Sequence, residues 1–246
     1  MLKKITHPLN ILNPDEFIEA VGILKSSNKD HSNSAYSYIT LEEPDKNLLK
    51  ESLNCERVVK IVGVDQISQG FEAKINLTTK ELITDEIISN QAGPTYTLSE
   101  IFLAIKLTME DFGYQQALEK RGIRDLNLIQ IDPWPGGGFV NKKIKKGNRA
   151  LKAISFLKES EKDNAYARPI QGLIAHIDLT EKKVVEIEDH GIVKVPEAHA
   201  RYDKDGQETL REDLKEIAIT QPGGVGFSVE DNQISWEGWQ LRASID

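Results

Sequence analysis

The C-terminal segment, residues 221–246, most constrains what this chain can fold into. Its pattern predicts a strand, a polar turn and a second strand, over 226–229, 230–232 and 233–245 respectively. On the second strand the apolar residues fall on even positions up to Trp236 and on odd positions from Trp239, so the alternation slips at Gly238. A slip at a glycine is typical of a β-bulge, because an inserted residue turns every later side chain to the other face. We therefore expect an amphipathic hairpin with a bulge at Gly238.

This hairpin needs a larger sheet, because two strands alone are marginally stable in water. Each buried apolar side chain on the second strand would contribute ~1.5–3 kcal/mol, and together they total on the order of 10 kcal/mol. That sum is comparable with the net stability of a whole domain. We expect Trp236, Trp239 and Leu241 to form an interaction face. We also expect the remaining strands to lie outside this polypeptide, so that the chain is the front part of something larger.

Composition excludes several classes of protein. The 246 residues suffice for two domains, and 39% hydrophobic content is typical of a globular chain. A net charge of −8 disfavours nucleic-acid binding, which needs a surplus of Lys and Arg. The single cysteine, Cys55, excludes an internal disulfide and a thiolate metal cluster, and we expect it to be structural. Because we find neither a secretory signal nor an apolar run of about 20 residues, we predict a cytoplasmic protein without a membrane partner.

The first predicted domain spans 1–92 and begins with a capped helix. Asn13 is a favourable N-cap and Glu16 completes a capping box, while the core stripe is predicted at Phe17, Val21 and Leu24. Strands are predicted over 36–41, 57–64, 71–77 and 81–88. One helix across an antiparallel sheet makes an α+β unit.

The same order of elements returns over 93–190. Thr97 and Glu100 form a second capping box, and the helix or its continuation is expected to end before Gly122. Its apolar face is predicted at Ile101, Ile105 and Phe112, or at Ala104 and Leu107 beside them. The strands are predicted over 126–131, 150–157, 172–179 and 183–188. The halves share no identity worth quoting, so the order of elements is the evidence for duplication. Residues 191–218 are predicted to connect this domain to 219–246.

The residues themselves indicate no active site. The histidines show no spacing typical of a metal site, and we predict no metal ligands. Trp134 and the glycines at 136–138 could form a phosphate cradle, but no Gly-Lys-Ser/Thr follows, which favours a mobile connection. The basic run over 142–149 lacks interleaved aromatic residues, which favours a solvated loop. No catalytic residue is predicted.

Several stretches, in order, resemble the N-terminal region of copper-containing primary-amine oxidases. They are His7-Pro-Leu, Gly22-Ile-Leu-Lys25, Leu118-Glu-Lys-Arg-Gly-Ile-Arg-Asp125, Ile131-Asp-Pro-Trp134, Tyr166-Ala-Arg-Pro-Ile-Gln-Gly-Leu173, Asp189-His-Gly191, Val195-Pro196, Ile219-Thr-Gln-Pro-Gly-Gly, Phe227-Ser-Val and Trp236-Glu-Gly-Trp239. Each is weak alone, and their ordered combination is specific.

The resemblance implies an α+β fold of two consecutive cystatin-like domains, N2 and N3, followed by the first strands of a catalytic β-sandwich that forms a homodimer. Residues 219–246 would be those strands. Members of the family oxidise primary amines to aldehydes, with release of ammonia and hydrogen peroxide. They use copper held by three histidines, and topaquinone made from a tyrosine in an Asn-Tyr-Asp/Glu motif.

None of the six tyrosines lies in such a motif, and no His-x-His is present. We therefore expect no cofactor in this chain and no activity from the chain alone, since without the quinone no electrophile is available to react with the amine. The resemblance implies that Tyr166 lines the substrate channel, with Trp134 as a weaker candidate for the same rim. The alternative is that Tyr166 is simply an aromatic residue at a strand edge. A free-standing cystatin-like interaction module is the alternative for the whole chain.

Overall fold

The computed structural model describes residues 7–51, 54–65, 67–88, 93–198, 201–207 and 209–244. The chain divides into two compact units, Met1–Thr95 with Glu216–Asp246, and Tyr96–Lys215. The predicted α+β class is confirmed, because each unit carries helices on an antiparallel sheet. Among the described residues, no helix is both long and apolar enough to cross a lipid bilayer.

The first unit contains two helices and a four-stranded sheet in sequential order. The elements are α1 (Pro14–Ser27), β1 (Ala35–Glu42), α2 (Lys46–Glu51), β2 (Val58–Val64), β3 (Gly70–Asn76) and β4 (Glu81–Ile87). The capping box at Asn13 and Glu16 is present, and the four predicted strands are confirmed within about two residues. The sequence interpretation did not include α2.

The core stripe of α1 differs from the prediction at one position. Leu24 is fully buried as expected, but Phe17 is exposed, and Ala20 is buried in the stripe. Glu16 is buried too, because its carboxylate pairs with the guanidinium of Arg57 at 2.7 Å. The helix is therefore rotated so that its capping glutamate, and not Phe17, faces the sheet.

The second unit repeats this plan. Its elements are α3 (Leu98–Glu110), α4 (Phe112–Lys120), β5 (Ile129–Pro135), β6 (Ala150–Leu157), β7 (Leu173–Asp178) and β8 (Lys183–Asp189), with the strands again in sequential order. The predicted helix ends before Asp111, and its continuation is a separate helix, because the Asp111 side chain accepts a hydrogen bond from the Tyr114 backbone N–H at 2.8 Å and so caps α4. The break also explains why the prediction for Phe112 was wrong. Phe112 is exposed, and Ala104 and the Tyr114 ring are buried in the core.

The two units share a short stretch of similar sequence that the sequence interpretation missed. Ile75-Asn-Leu-Thr78 in the first unit corresponds to Ile177-Asp-Leu-Thr180 in the second, at the same turn between the third and fourth strands. The Thr78 hydroxyl accepts a hydrogen bond from the Arg57 backbone N–H at 3.0 Å, and Thr180 accepts the equivalent bond from Arg149 at 3.1 Å. Each arginine in turn pairs with the capping-box glutamate of its own unit. The duplication therefore extends to a buried polar framework.

The C-terminal segment forms a three-stranded meander of β9 (Phe227–Glu230), β10 (Gln233–Trp236) and β11 (Trp239–Arg242). The predicted bulge at Gly238 is wrong, because Glu237 and Gly238 form a two-residue turn across which Trp236 pairs with Trp239. Glu237 has φ of 50°, and a positive φ at the first central residue is common to the turns that suit hairpins. A two-residue turn also changes the parity of the apolar positions, which explains the slip.

Candidate functional site

Tyr166 lies on a short 3-10 turn, Ala165–Ala167, in the connection between β6 and β7. The Asn164 side chain caps this turn by accepting a hydrogen bond from the Tyr166 backbone N–H at 3.0 Å. The Tyr166 ring packs edge-on against Phe156 with 5.0 Å between ring centroids, and its hydroxyl donates to Asp132 Oδ2 at 2.7 Å. The ring is nonetheless 58% exposed, so it is held in place with one face open.

Trp134 lies on the same outer face of this sheet. Ile129 and Ile131 of β5 are buried, so the alternation directs Asp132 and Trp134 away from the core. Trp134 is 56% exposed. The structure thus brings the two predicted channel residues to one face, because Asp132, which binds Tyr166, lies two residues before Trp134 on β5. That they line a channel remains a prediction.

Asp132 is the residue of this face that the sequence interpretation did not single out. Its Oδ1 accepts a hydrogen bond from Gln130 Nε2 at 3.2 Å, and its Oδ2 accepts from Tyr166. The hydrogen bond to Asp132 raises the pKa of the Tyr166 phenol above its usual range. A carboxylate beside two exposed aromatic rings can hold a cationic group by charge and by cation–π attraction. The available signal was the Ile131-Asp-Pro-Trp134 stretch, which the resemblance already included.

The described histidines of this unit, His176 and His190, share one carboxylate rather than forming a convergent site. Glu188 bridges them, with 2.7 Å to His176 Nε2 and 2.5 Å to His190 Nε2. These hydrogen bonds, that from His176 first, hold the pKa of Glu188 below its usual range. Within the described ranges, no group of three or more His, Cys, Asp or Glu residues is arranged to hold a metal ion.

A shallow hollow in the first unit has a volume of about 410 Å³ and is bordered by Glu42, Glu56 and Cys55, among others. Glu42 forms ion pairs with Lys74 and Lys60, and the bond from Lys74 is the main cause of its lowered pKa. Cys55 is a half-buried thiol that is not part of a disulfide. The Glu42 carboxylate is already paired with the chain's own lysines.

The meander presents one apolar face and one polar face. Its cross-strand register places Phe227, Trp236 and Trp239 in one row and Val229, Ile234 and Leu241 in the next. The predicted interaction residues Trp236, Trp239 and Leu241 therefore share this face, and Trp239 is 64% exposed. On the polar side, Arg242 donates to Asn10 Oδ1 at 2.9 Å and Asn232 donates to the Leu9 carbonyl at 3.1 Å. The polar contacts hold the meander against the N-terminal segment and leave the apolar face open.

Comparison with known proteins agrees with this description. Residues 99–206 match the family model of the copper amine oxidase N3 domain. The chain is 31% identical to a primary amine oxidase of Arthrobacter sp. (strain P1) over 98% of its own length and 37% of that protein. It is also 31% identical to a histamine oxidase of Arthrobacter globiformis over 98% of its own length and 36% of that protein.

The fold is shared with solved structures. A copper-containing benzylamine oxidase from Hansenula polymorpha superposes with a TM-score of 0.77 and 17% identity, over 96% of this chain and 40% of that one. The chain spans only about 37% of the length of the curated relative from strain P1. It carries a copper amine oxidase N3 domain, and over nearly its whole length it corresponds to the N-terminal region of the copper-containing primary-amine oxidases.

Proposed function

We propose that this chain serves as the N-terminal region of a copper/topaquinone primary-amine oxidase, which converts primary amines to aldehydes with release of ammonia and hydrogen peroxide. In this role it is non-catalytic by itself and helps to shape the substrate channel and the dimer of the full enzyme. The exposed apolar face of the meander is the observation that carries this proposal.

The energetics of that face support a docked sheet. Six apolar side chains lie in two cross-strand rows, and each contributes ~1.5–3 kcal/mol when it is removed from water. Two sheets that pack face to face use this alternation of apolar inner and polar outer residues. The polar side already binds residues of its own chain, so only the apolar side is available. We infer that the partner is the catalytic β-sandwich, which also supplies the homodimer contact.

The outer face around Tyr166 supports the channel part of the proposal. Its exposed rings and the Asp132 carboxylate suit an ammonium group that carries an apolar substituent. Because Phe156 and Asp132 fix the Tyr166 ring, the ring can restrict the width of a passage without being ordered by the substrate. Trp134 would extend the same rim.

Copper and topaquinone supply the redox chemistry in this family, and the residues of this chain do not fit either group. No tyrosine has the Asn-Tyr-Asp/Glu context, and the described His, Asp and Glu side chains do not converge on a metal position. We therefore assign the chain a role in binding and shaping, and no step that passes through the cofactor.

Activity and association measurements test the proposal. The purified chain should release no peroxide with simple primary amines and should not stain for quinone. Mixed with a separately produced catalytic region, it should form a complex on gel filtration. Trp239→Lys should weaken that complex, whereas Gln240→Lys on the polar face should not. Turnover by the chain alone, or equal effects of both substitutions, would refute the proposal.

A free-standing cystatin-like interaction module, derived from such an enzyme, is the second candidate. In that case the same exposed face, with Trp236, Trp239 and Leu241, would be its interaction surface. The coding sequence beyond Asp246 discriminates between the two. A reading frame that continues into an Asn-Tyr-Asp motif supports the oxidase, and an immediate stop codon supports the module.

A further inference from the structure

Residues 136–148, in the connection between β5 and β6, form a loop of successive hydrogen-bonded turns. Three turns follow one another, in which the backbone N–H groups of Phe139, Ile144 and Asn148 donate to carbonyls three residues earlier, at 2.9, 3.0 and 3.0 Å. The Ile144 side chain is buried beneath the loop. Gly137 adopts φ of 54°, which allows the tight first turn.

Side chains also anchor this loop to the sheet. Asn141 Nδ2 donates to Glu186 at 2.6 Å and Asn148 Nδ2 donates to Asp178 at 2.8 Å. Lys143 forms an ion pair with Glu186 at 3.0 Å, so its charge is satisfied within the unit. The exposed side chains between these anchors are thus held in a fixed arrangement before any partner arrives.

The exposed surface of this loop is apolar at Phe139 and Val140 and cationic at the lysines that follow them in the chain. Phe139 is 82% exposed, and Val140 beside it is exposed as well. Lys142, Lys145 and Lys146 are exposed and follow within the same loop, which contains no acidic residue. The ammonium of Lys152 lies 6.0 Å from the centre of the Phe139 ring and adds a further cation. We call these six residues the basic tip.

We propose that the basic tip docks on an anionic lipid bilayer, with Phe139 and Val140 entering the interface and the lysines contacting acidic headgroups. Apolar insertion combined with lysine attraction is the recognised chemistry of reversible attachment to such a surface. A strand of nucleic acid is the other polyanion that could be considered. It needs an extended cationic track with stacking planes, whereas here three of the tip's lysines lie in one loop and Lys152 lies beside Phe139, valine offers no stacking face, and the chain carries −8 overall.

Cosedimentation with vesicles tests this proposal on the 246-residue chain. We expect the chain to sediment with phosphatidylcholine vesicles that contain phosphatidylglycerol, and to remain in solution with phosphatidylcholine alone. Raising the salt concentration should release it, because attraction to headgroups is screened. Joint replacement Lys145→Glu and Lys146→Glu should weaken binding by about tenfold or more. Phe139→Ser should weaken it by a similar factor, about tenfold, through loss of apolar burial.

The second unit offers matched controls on α3. Phe102→Ser and Lys106→Glu change an exposed phenylalanine and an exposed lysine away from the basic tip, and should leave vesicle binding unchanged. Circular dichroism should show the native spectrum for all variants, because every substituted residue is at the surface. Absence of binding, equal binding to neutral vesicles, or equal losses in the controls would overturn the proposal. Binding to a single-stranded oligonucleotide without binding to vesicles would overturn it in favour of a nucleic-acid surface.

Discussion

Replacing Arg149 with methionine should destabilise the second unit severely. Arg149 Nη2 lies 3.0 Å from Glu100 Oε2, Nε contacts the other carboxylate oxygen, and both side chains are almost fully buried. Its guanidinium also lies over the Tyr96 ring at 4.4 Å. Methionine fills a similar volume but leaves the Glu100 carboxylate buried without its cation. Removal of one partner from a buried ion pair costs about 3–5 kcal/mol.

This loss is a large fraction of the net stability of a domain, about 5–15 kcal/mol, so it is measurable. A second substitution then tests its cause. Adding Glu100→Gln to Arg149→Met removes the uncompensated charge, and glutamine can still accept the backbone N–H bond that Thr97 donates to Glu100 at 2.8 Å. The double variant should therefore be more stable than Arg149→Met alone. A purely steric role for Arg149 predicts no such recovery.

Hydrogen exchange monitored by mass spectrometry shows which unit is destabilised, and urea denaturation measures the change in the free energy of unfolding. Arg149→Met should accelerate exchange in α3 and leave α1 unchanged. Arg57→Met, the equivalent change in the first unit, should do the reverse, because Arg57 binds Glu16 in the same way. A loss below about 1 kcal/mol, the range of an exposed pair, would refute the reasoning.

Three further outcomes are expected. Tyr114→Phe should cost about 1–3 kcal/mol in urea denaturation, because it leaves the buried Ser155 hydroxyl unpaired, and adding Ser155→Ala should cost less than the two single losses combined. The hydrogen bond from Arg121 lowers the pKa of Asp189 to about 2, below the unfolded value of about 3.9, so its stabilisation is present above that value and is lost as pH falls towards 2. The urea midpoints of wild type and Asp189→Asn should therefore differ at neutral pH and converge in acid, and a constant difference would contradict this assignment. Trp239→Lys should reduce self-association in sedimentation velocity, and an unchanged profile would show that the apolar face is not adhesive.

The sequence was sufficient for the elements whose signals are local. Both capping boxes lie where Asn13 and Thr97 indicated, because a cap involves only neighbouring residues. Most strands followed their alternation, but the strand predicted over 126–131 lies at Ile129–Pro135 and the one predicted over 233–245 is divided into β10 and β11. The repeated order of helix and four strands indicated the fold class. The resemblance to the amine oxidases rested on the order of several weak stretches, and the comparison with known proteins confirms it.

The two misplaced core residues have different physical causes. Phe17 and Phe112 were placed in core stripes because they are apolar, yet the buried Glu16 and the helix break at Asp111 leave both exposed. The burial of Glu16 depends on Arg57, 41 residues away, whereas the cap at Asp111 is a local signal that the sequence interpretation did not use. At Gly238, a bulge and a two-residue turn give the same slip in the pattern, and only the pairing of strands separates them.

The comparison between the two units indicates where function should be sought. Their shared framework, an arginine that joins the capping glutamate to the turn threonine, is the same in both and accounts for stability rather than chemistry. The connection between the second and third strands is where they differ most. In the first unit it runs only from Val64 to Gly70, whereas in the second it extends from Leu157 to Leu173 and carries Tyr166. Backbone hydrogen bonds near the C-terminal end of this longer connection tie it to β6: the Leu157 N–H donates to the Arg168 carbonyl and the Ile170 N–H donates to the Ser155 carbonyl, each at 2.9 Å. The insertion that carries the exposed Tyr166 ring has no counterpart in the sister unit, and we expect any function particular to the second unit to lie there.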